Sequence, residues 1–290
     1  MRPASTVRRR VEQVSVAGDG VRRARMDLLA TEEPLEIRVV TAEHAGRGPL
    51  DDVAVPVSVT MRTPGADFEL AAGFLYGEGL IGGHGDVAAV RYCTRGEQQY
   101  NLVHVVLTPG AEFDPAALQR NFYQTSSCGV CGKASIEAVT GGACTRVASE
   151  LCVSPEVVVS LPAKLRAAQA VFERTGGLHA AGLFTADGEL VRIREDVGRH
   201  NALDKLVGAS LLADQLPWGE RMVMVSGRLS FELVQKAARA GAALLAGVSA
   251  PSSLAVELAE ACGLTLCGFV RGERFNVYAG GARIAPAVHR

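Results

Sequence analysis

The sequence lacks several features that would place it in a simple class of protein. No apolar run reaches the ~18 residues expected of a membrane span. The N-terminal Arg8-Arg9-Arg10 is followed by Val11-Glu12-Gln13 instead of the apolar core of a secretory signal. The formal net charge is −1, which gives no general reason to expect nucleic-acid binding. We therefore expect neither a membrane nor a nucleic acid among the partners of this chain.

Cysteine is present but is not arranged as a disulfide framework. The seven cysteines form an odd number and are scattered, apart from one C-x-x-C pair. This usage predicts a reducing compartment, the cytoplasm. Two nucleotide-binding fingerprints also lack support. The G-x-G-x-x-G spacing occurs only at Gly77–Gly82, directly after a predicted helix instead of a strand, and G-x-x-x-x-G-K-[ST] is absent. The sequence therefore supports neither a Rossmann dinucleotide site nor a P-loop.

The cysteine pair, Cys128 and Cys131, is the most informative feature that is present. It lies in a segment rich in glycine and serine, with Lys133 close behind and no acidic residue between Asp114 and Glu137. A neighbouring cation and the N-terminus of a following helix both stabilise thiolate over thiol. Because thiolate is the form that attacks another sulfur, the segment predicts a reactive sulfur site.

Three roles for this pair stay open at the level of the residues. Half of a zinc site would need ligands from distant parts of the chain, because no second C-x-x-C and no nearby histidine are present. A thioredoxin-like redox pair would normally follow an apolar strand, whereas residues 121–127 are polar. A persulfide carrier fits a polar loop with two glycines, and we predict no tightly held metal. The remaining cysteines lie in apolar contexts and are predicted to be buried and inert: Cys93, Cys144, Cys152, Cys262 and Cys267.

The first half of the chain is predicted to contain an arm and a small subdomain. Residues 1–30 include seven arginines and little apolar patterning, which indicates a solvated, partly disordered arm, with docking to an acidic partner as the alternative. Residues 31–150 are predicted to form an α+β subdomain that ends with the C-x-x-C loop and a helix. Its predicted elements are strands at 35–40 and 53–61, a helix at 67–76, a strand pair at 88–92 and 100–107, and a short helix opening at Asp114-Pro115.

Residues 151–290 show a regular alternation of helices and strands. A first helix starts at Ser154-Pro155 and runs to about residue 174, with a kink or break expected at Pro162. Ala186-Asp187-Gly188 predicts a hairpin turn. The alternation predicts a largely parallel sheet with helices on both faces. The later elements are predicted at 178–185 and 190–197 (strands), 200–213 (helix), 222–226 (strand), 230–240 (helix), 244–249 (strand), 252–262 (helix), and 264–270 and 275–279 (strands).

Polar turns follow three of these strands, at the sheet edge where α/β proteins commonly bind their ligands. Arg199, His200 and Arg228 lie there beside predicted helix N-termini, which favour phosphate. The sequence therefore predicts an anion-binding pocket. Ser230 and Ser252 allow a simpler interpretation, in which they are ordinary N-caps. The segment after the last long strand adds an aromatic ring and two arginines, which suit a base and a phosphate.

Five sequence blocks, taken together and in order, resemble the formate dehydrogenase accessory sulfurtransferase (FdhD/NarQ) family. The resemblance extends over residues 30–280 and is far more specific than a C-x-x-C pair alone. The five blocks are Ser126–Gly132, Thr175–Ala181, Arg194–Lys205, Ser226–Glu232 and Ser249–Glu257.

The resemblance implies a fold of the α/β class. The implied architecture is a three-layer α/β/α sandwich resembling cytidine deaminase over residues 151–290, with the smaller α+β subdomain before it, assembled as a homodimer. The deaminase zinc signature is absent, because two alanines follow His179 and Ser226-Gly227-Arg228 stands in place of the cysteine pair. The fold is therefore expected without deaminase chemistry.

The resemblance also implies a reaction and its partners. Such proteins take sulfur from a cysteine desulfurase as a persulfide. They pass it to the molybdenum or tungsten bis(pyranopterin guanine dinucleotide) cofactor, here expected as Mo-bis(molybdopterin guanine dinucleotide), before that cofactor enters the formate dehydrogenase catalytic subunit. The persulfide cysteine of the family matches Cys128, with Cys131 as its neighbour. The guanine-dinucleotide contacts match Phe269, Val270, Arg271, Gly272, Glu273 and Arg274.

Two other functional classes remain as alternatives. One is a chaperone that binds the molybdenum cofactor or a guanine nucleotide and transfers no sulfur. The other is a thiol–disulfide oxidoreductase that uses the same cysteine pair.

Overall fold

The structure, a computed structural model, describes residues 3–16, 22–46, 48–93, 100–114 and 146–286. Several predictions fall outside these ranges. They concern the reactive pair Cys128 and Cys131, the short helix after Asp114, and the helix predicted to follow the C-x-x-C loop. These predictions therefore rest on the sequence and on the resemblance.

The arginine-rich arm, predicted to be solvated and partly disordered, contains two paired strands that the prediction did not include. β1 (Thr6–Val14) pairs with β2 (Arg22–Ala30) in an antiparallel two-stranded sheet. The strands gave little apolar signal because both faces are largely exposed, and exposed faces need not alternate between apolar and polar residues.

A four-stranded sheet follows, with strand order β4-β3-β6-β5. Its strands confirm the predicted ones to within a few residues, and β5 and β6 form the predicted antiparallel pair. β3 and β6 lie side by side and parallel, which joins segments distant in sequence. The elements are β3 (Glu33–Val40), α1 (Leu50–Val53), β4 (Val55–Arg62), α2 (Asp67–Gly77), β5 (Val87–Tyr92) and β6 (Leu102–Leu107).

The second sheet has six strands in the order β12-β11-β10-β9-β7-β8. Its elements are α3 (Pro155–Ala168), α4 (Ala170–Thr175), β7 (His179–Phe184), β8 (Leu190–Asp196), α5 (Arg199–Leu212), β9 (Gly219–Val225), α6 (Phe231–Arg239), β10 (Ala242–Gly247), α7 (Ser253–Cys262), β11 (Thr265–Arg271) and β12 (Arg274–Ala279).

This sheet is mixed, so the expectation of a largely parallel sheet was wrong. β9 pairs in parallel with β10, and β10 with β11. The β7–β8 hairpin, predicted from its Asp-Gly turn, and the tight turn between β11 and β12 both return the chain antiparallel. β7 also lies antiparallel to β9. Short turns leave no room for the helical crossover that parallel pairing requires.

The first helix of this half breaks later than predicted. α3 continues through Pro162 to Ala168, and the chain leaves helical geometry at Gln169, whose ψ is 78°. The carboxylate of Glu195 then accepts hydrogen bonds from the backbone N–H groups of Val171 and Phe172, at 3.0 and 2.8 Å. These bonds satisfy free donors at the start of α4, which explains why a new helix begins there.

Helices cover both faces of the six-stranded sheet. Met222 and Met224 of β9 pack on the side of α3, while Val223 and Val225 face the cluster that contains α5, α6 and α7. This alternation is the period of two that a strand imposes on its side chains. The larger of the two apolar clusters also includes α2 and the inner face of the four-stranded sheet.

α2 and α5 cross at two glycines. A Cβ atom added to Gly73 would lie 1.9 Å from the carbonyl oxygen of Asp204, and one added to Gly208 would lie 1.8 Å from that of Glu69. The two backbones therefore approach more closely than any residue with a side chain permits. This crossing joins the two sheets of the described chain.

Candidate functional site

The candidate site lies where β8, β9, β10 and β11 end, at one edge of the six-stranded sheet. These four strands run in the same direction, so their carboxyl ends meet, as predicted from the polar turns. Backbone hydrogen bonds tie the turns together: Leu229 N–H donates to Ala250 O at 3.1 Å, and Phe269 N–H donates to Ser249 O at 3.2 Å. The edge is therefore a continuous surface.

Arg199 is the cation best placed to meet an anion here. It is the first residue of α5, whose N-cap Gly198 offers no side-chain cap. Its Nε atom is enclosed and has no hydrogen-bond partner among the described residues. A side chain on Gly227 would approach both Arg199 and His179 Nδ1 to 3.5 Å, so glycine leaves open space between them. A helix N-terminus and an unpaired buried N–H donor together suit an anionic ligand.

His200 is held in place by α6. Its Nε2 atom lies 3.0 Å from Ser230 Oγ and 3.0 Å from Glu232 Oε2. The hydrogen bond from His200 lowers the pKa of Glu232 below its ordinary value. The carboxylate therefore stays ionised at neutral pH and fixes the ring of His200.

Ser230 and Ser252, which the sequence also allowed as ordinary helix N-caps, differ in their contacts. Ser252 Oγ accepts a hydrogen bond from Ala255 N–H at 3.3 Å, so it is an ordinary N-cap of α7. Ser230 stands at the N-cap position of α6 but makes no capping bond and contacts His200 instead. The N-termini of α5 and α6 therefore both lack a side-chain cap.

A cavity of about 580 Å³ opens on the α3 side of this edge. Most residues of its lining were not predicted from the sequence; they include Arg166, Gln169, Phe172, His179 and Ser226. The guanidinium of Arg166 lies 3.9 Å from the centre of the Phe172 ring. The Gln169 side chain is buried, and its Nε2 atom has no hydrogen-bond partner in the described chain. The helix break at Gln169 positions these side chains at the cavity, and the sequence had placed the break at Pro162 instead.

The predicted segment Phe269–Arg274 spans the end of β11, a turn and the start of β12. Phe269 has a φ of 53°, which is uncommon for a bulky residue, and it marks an irregularity in the β11–β12 register. Its ring is partly exposed with Arg271 5.3 Å above it, whereas Val270 is fully buried in the core. Gly272, Glu273, Arg274 and, on the neighbouring turn, Arg228 are exposed.

Much of the block from Arg194 to Lys205 is structural. The buried Asp196 lies 2.6 Å from Lys205 Nζ and accepts a hydrogen bond from Thr63 N–H at 3.1 Å. Asn201 donates to the carbonyl of Met61 at 2.8 Å. These bonds attach the end of β4 to the start of α5. Of the polar residues in this block, Arg199 and His200 face the candidate site.

The described cysteines outside the pair differ in exposure. Cys93, Cys262 and Cys267 are buried as predicted, but Cys152 is exposed, so that prediction was wrong. The apolar sequence around Cys152 packs through Leu151 and Val153, which leaves the residue between them outside. Burial raises the pKa of Cys267 to about 12, which makes it a poor nucleophile at neutral pH.

In the ranges that the structure describes, no three His, Cys, Asp or Glu side chains cluster as metal ligands. Within the same ranges, no helix combines the length and the apolar character needed to span a bilayer.

Replacing Arg199 by glutamine should raise the pKa of His179. Burial lowers this pKa, and the positive charges of Arg199 and His200 lower it further, while Asp196 opposes them. Losing the Arg199 charge removes one of these causes. The imidazole titration can be followed by NMR. Arg228→Gln, at an exposed position on the same edge, removes an equal charge and should change the His179 pKa less. An unchanged His179 pKa in Arg199→Gln would contradict the observed proximity.

These features define a mixed α/β protein with a cation-bearing pocket where its strands end. Sequence comparison then identifies its relatives. The chain belongs to the FdhD/NarQ family, whose model matches residues 31–285.

Relatives match the chain almost from end to end. The sulfur carrier protein FdhD of Streptomyces coelicolor is 51% identical, covering 97% of this chain and 96% of its own. The protein of that name from Mycobacterium tuberculosis is 48% identical, covering 97% and 99%. The one from Sulfolobus acidocaldarius is 44% identical, covering 94% and 97%. A solved structure of a candidate formate dehydrogenase accessory protein from Desulfotalea psychrophila shares the fold, with a TM-score of 0.70, 24% identity, and coverage of 97% of this chain and 99% of that chain.

Proposed function

We propose that this protein is a sulfur carrier that serves formate dehydrogenase. The observation that carries the proposal is that relatives about half identical to it, over nearly its whole length, are sulfur carrier proteins. The C-x-x-C segment supplies the nucleophile that such a role needs. The cation-bearing sheet edge supplies a place for an anionic acceptor.

In the proposed reaction, Cys128 receives and delivers sulfur. Its thiolate attacks the outer sulfur of a persulfide on a cysteine desulfurase. A new S–S bond forms on Cys128, and the desulfurase cysteine leaves as a thiolate, so this loading step requires no outside oxidant or reductant. Cys131 either relays the sulfur or restrains the segment, and Lys133 favours the thiolate of Cys128.

The proposed acceptor is the bis(pyranopterin guanine dinucleotide) cofactor of molybdenum or tungsten, bound as a substrate. Arg199 supports this proposal, because its buried Nε needs an acceptor such as a phosphate oxygen. The cavity beside it is large enough for a planar ring system, and Gln169 and Phe172 offer a polar and an aromatic contact. Phe269 to Arg274, His200 and Arg228 are the further proposed contacts. We also propose that residues 151–290 have a fold similar to that of cytidine deaminase.

Cys128→Ala is expected to abolish sulfur loading. Wild-type protein incubated with a cysteine desulfurase and free cysteine should gain the mass of one sulfur atom on the peptide that contains residues 128–131, as read by mass spectrometry. The variant should show no such adduct and should leave formate dehydrogenase unmatured. Cys152→Ala, which removes an exposed thiol elsewhere, should behave as wild type. Persistence of both the adduct and maturation in Cys128→Ala would refute the assignment.

The same assay separates the two alternatives. If a Cys128→Ala/Cys131→Ala double variant still matures formate dehydrogenase, a cofactor chaperone is favoured. Such a chaperone would need only the cavity to bind the cofactor, and neither cysteine. Turnover of a disulfide substrate would favour an oxidoreductase.

A cysteine desulfurase and the formate dehydrogenase catalytic subunit are the proposed partners. A homodimer is the proposed assembly, and the cytoplasm is the proposed location.

A further inference from the structure

The paired strands β1 and β2, here called the ribbon, attach to the rest of the chain at one end. Thr31 N–H donates to Ser5 O at 2.9 Å, where the ribbon begins and ends. β2 packs against α4, and a Cβ atom on Gly177 would lie 3.7 Å from that of Ala30. Nine residues of strand extend on the order of 27 Å, so the ribbon is long relative to its attachment.

One face of the ribbon combines arginine with exposed apolar side chains. The strand register sets Arg8 opposite Leu28, Arg10 opposite Met26, and Val14 opposite Arg22, and directly opposed side chains share a face. Met26 is 61% exposed and Val14 53%. We call this surface the Met26 face. The Met26 face also carries Glu12, paired to Arg22 at 3.3 Å. The opposite face carries Arg9, Arg23 and Arg25, with Arg25 paired to Asp27 at 3.1 Å, and its most exposed large apolar side chain is Leu29 at 40%.

A two-stranded ribbon with both faces in solvent is marginally stable in water. Its outer edges also leave unpaired backbone groups, which natural proteins usually cover. Large exposed apolar side chains on such an element therefore indicate a surface that another molecule covers.

Charge and composition indicate what that molecule is. The two strands contain six arginines and two acidic residues, whereas the whole chain has a net charge of −1. The ribbon is thus a positive element on an otherwise acidic protein. It contains no aromatic residue on which a nucleic-acid base could stack. It contains arginine and methionine, which are enriched at protein interfaces, and no lysine, which is depleted there.

We propose that the Met26 face docks an acidic surface of the protein that exchanges cargo with the cavity. α4, on which the ribbon packs, contributes Phe172 to the cavity lining, and Gly176 and Gly177 line it between α4 and β7. A partner on the ribbon would therefore stand beside the cavity mouth. Resting on the proposed function, the partner is the formate dehydrogenase catalytic subunit that receives the cofactor.

The test is the affinity of the full-length chain for the purified formate dehydrogenase catalytic subunit, measured by calorimetry at about 50 mM and about 300 mM salt. We expect the Arg8→Gln/Arg10→Gln double variant and Met26→Asp each to bind about tenfold or more weakly. The matched control, Arg9→Gln/Arg23→Gln, removes the same charge from the opposite face and should stay within about threefold of wild type. Wild-type binding should weaken at the higher salt concentration.

Every other outcome overturns the inference. It fails if wild type does not bind the subunit, if the Met26-face variants bind like wild type, or if the control loses as much affinity. It also fails if the ribbon variants bind the subunit as wild type does but no longer bind a DNA duplex of about 20 base pairs. The same holds if they bind the subunit as wild type does but no longer self-associate in sedimentation. Sulfur loading of Cys128 by the desulfurase is measured in parallel. If the variants still accept sulfur on Cys128, they are folded. If wild type accepts no sulfur, the proposed function is refuted, but the measured affinity for the subunit remains valid.

Discussion

Replacing Gly208 by alanine is expected to reduce the free energy of unfolding by at least about 4 kcal/mol, an exceptional loss for one methyl group. The added Cβ would lie 1.8 Å from the carbonyl oxygen of Glu69 and 2.7 Å from the backbone nitrogen of Gly73. Both contacts are to backbone, so no flexible side chain can move aside. The helices α2 and α5 would have to separate, and the core between the two sheets would open.

The sign of the change makes this a sharp test. Inside an isolated helix, alanine is more favourable than glycine by about 1 kcal/mol, so helix propensity alone predicts stabilisation. Chemical denaturation followed by circular dichroism gives the measured change. Gly83→Ala is the control, because a Cβ there would have nothing within 4 Å. A Gly208→Ala protein as stable as wild type would show that the helices do not cross as described.

Lys236→Met is expected to cost about 3–5 kcal/mol, because it leaves a buried carboxylate without its partner. Lys236 Nζ lies 2.7 and 2.8 Å from the two carboxylate oxygens of Asp204 and 3.1 Å from Glu78. Lys236 and Asp204 are 4% and 2% exposed, so water cannot replace the lost partner. Burial alone would lower the pKa of Lys236, but the two carboxylates raise it above its ordinary value, so the amine stays charged.

Two further measurements distinguish lost charge pairing from lost packing. Burial already raises the pKa of Asp204, and Lys236 opposes this shift, so in Lys236→Met the pKa of Asp204 would rise further above its unfolded value. Stability would then be retained below the unfolded pKa and lost as pH rises, so the deficit should be larger at neutral pH than near pH 4. Removing both partners, in Lys236→Met/Asp204→Leu, should recover much of the loss. A deficit that is independent of pH and additive in the double variant would contradict this account.

Elements with a strong local signal were predictable from the sequence. The continuous apolar run Met222–Val225 predicts a buried strand because every second side chain enters one of two cores, and the structure shows both. The Asp187-Gly188 turn predicts a hairpin because its residues favour that backbone. The polar turns predicted a common site edge because strands running in the same direction end together.

Features that depend on distant residues were not predictable. The close approach of Gly208 to Glu69 depends on a partner far away in sequence, and a glycine inside a helix shows no local sign of it. Ser230 and Ser252 have the same local sequence signal, yet the position of His200 turns one of them away from capping. Gln169 was missed because Pro162 gave a stronger local signal for a helix break than the carboxylate of Glu195, which lies on another element.

The apolar cluster shared by the two sheets has a consequence for how the chain folds. Ile37 and Val105 from one sheet and Val223 and Leu245 from the other contribute to the same interior. A fragment cut between the sheets would therefore expose half of that interior to water, and neither piece would be an autonomous folding unit. We therefore expect the two sheets to unfold together, because neither can be exposed without opening the interior that they share.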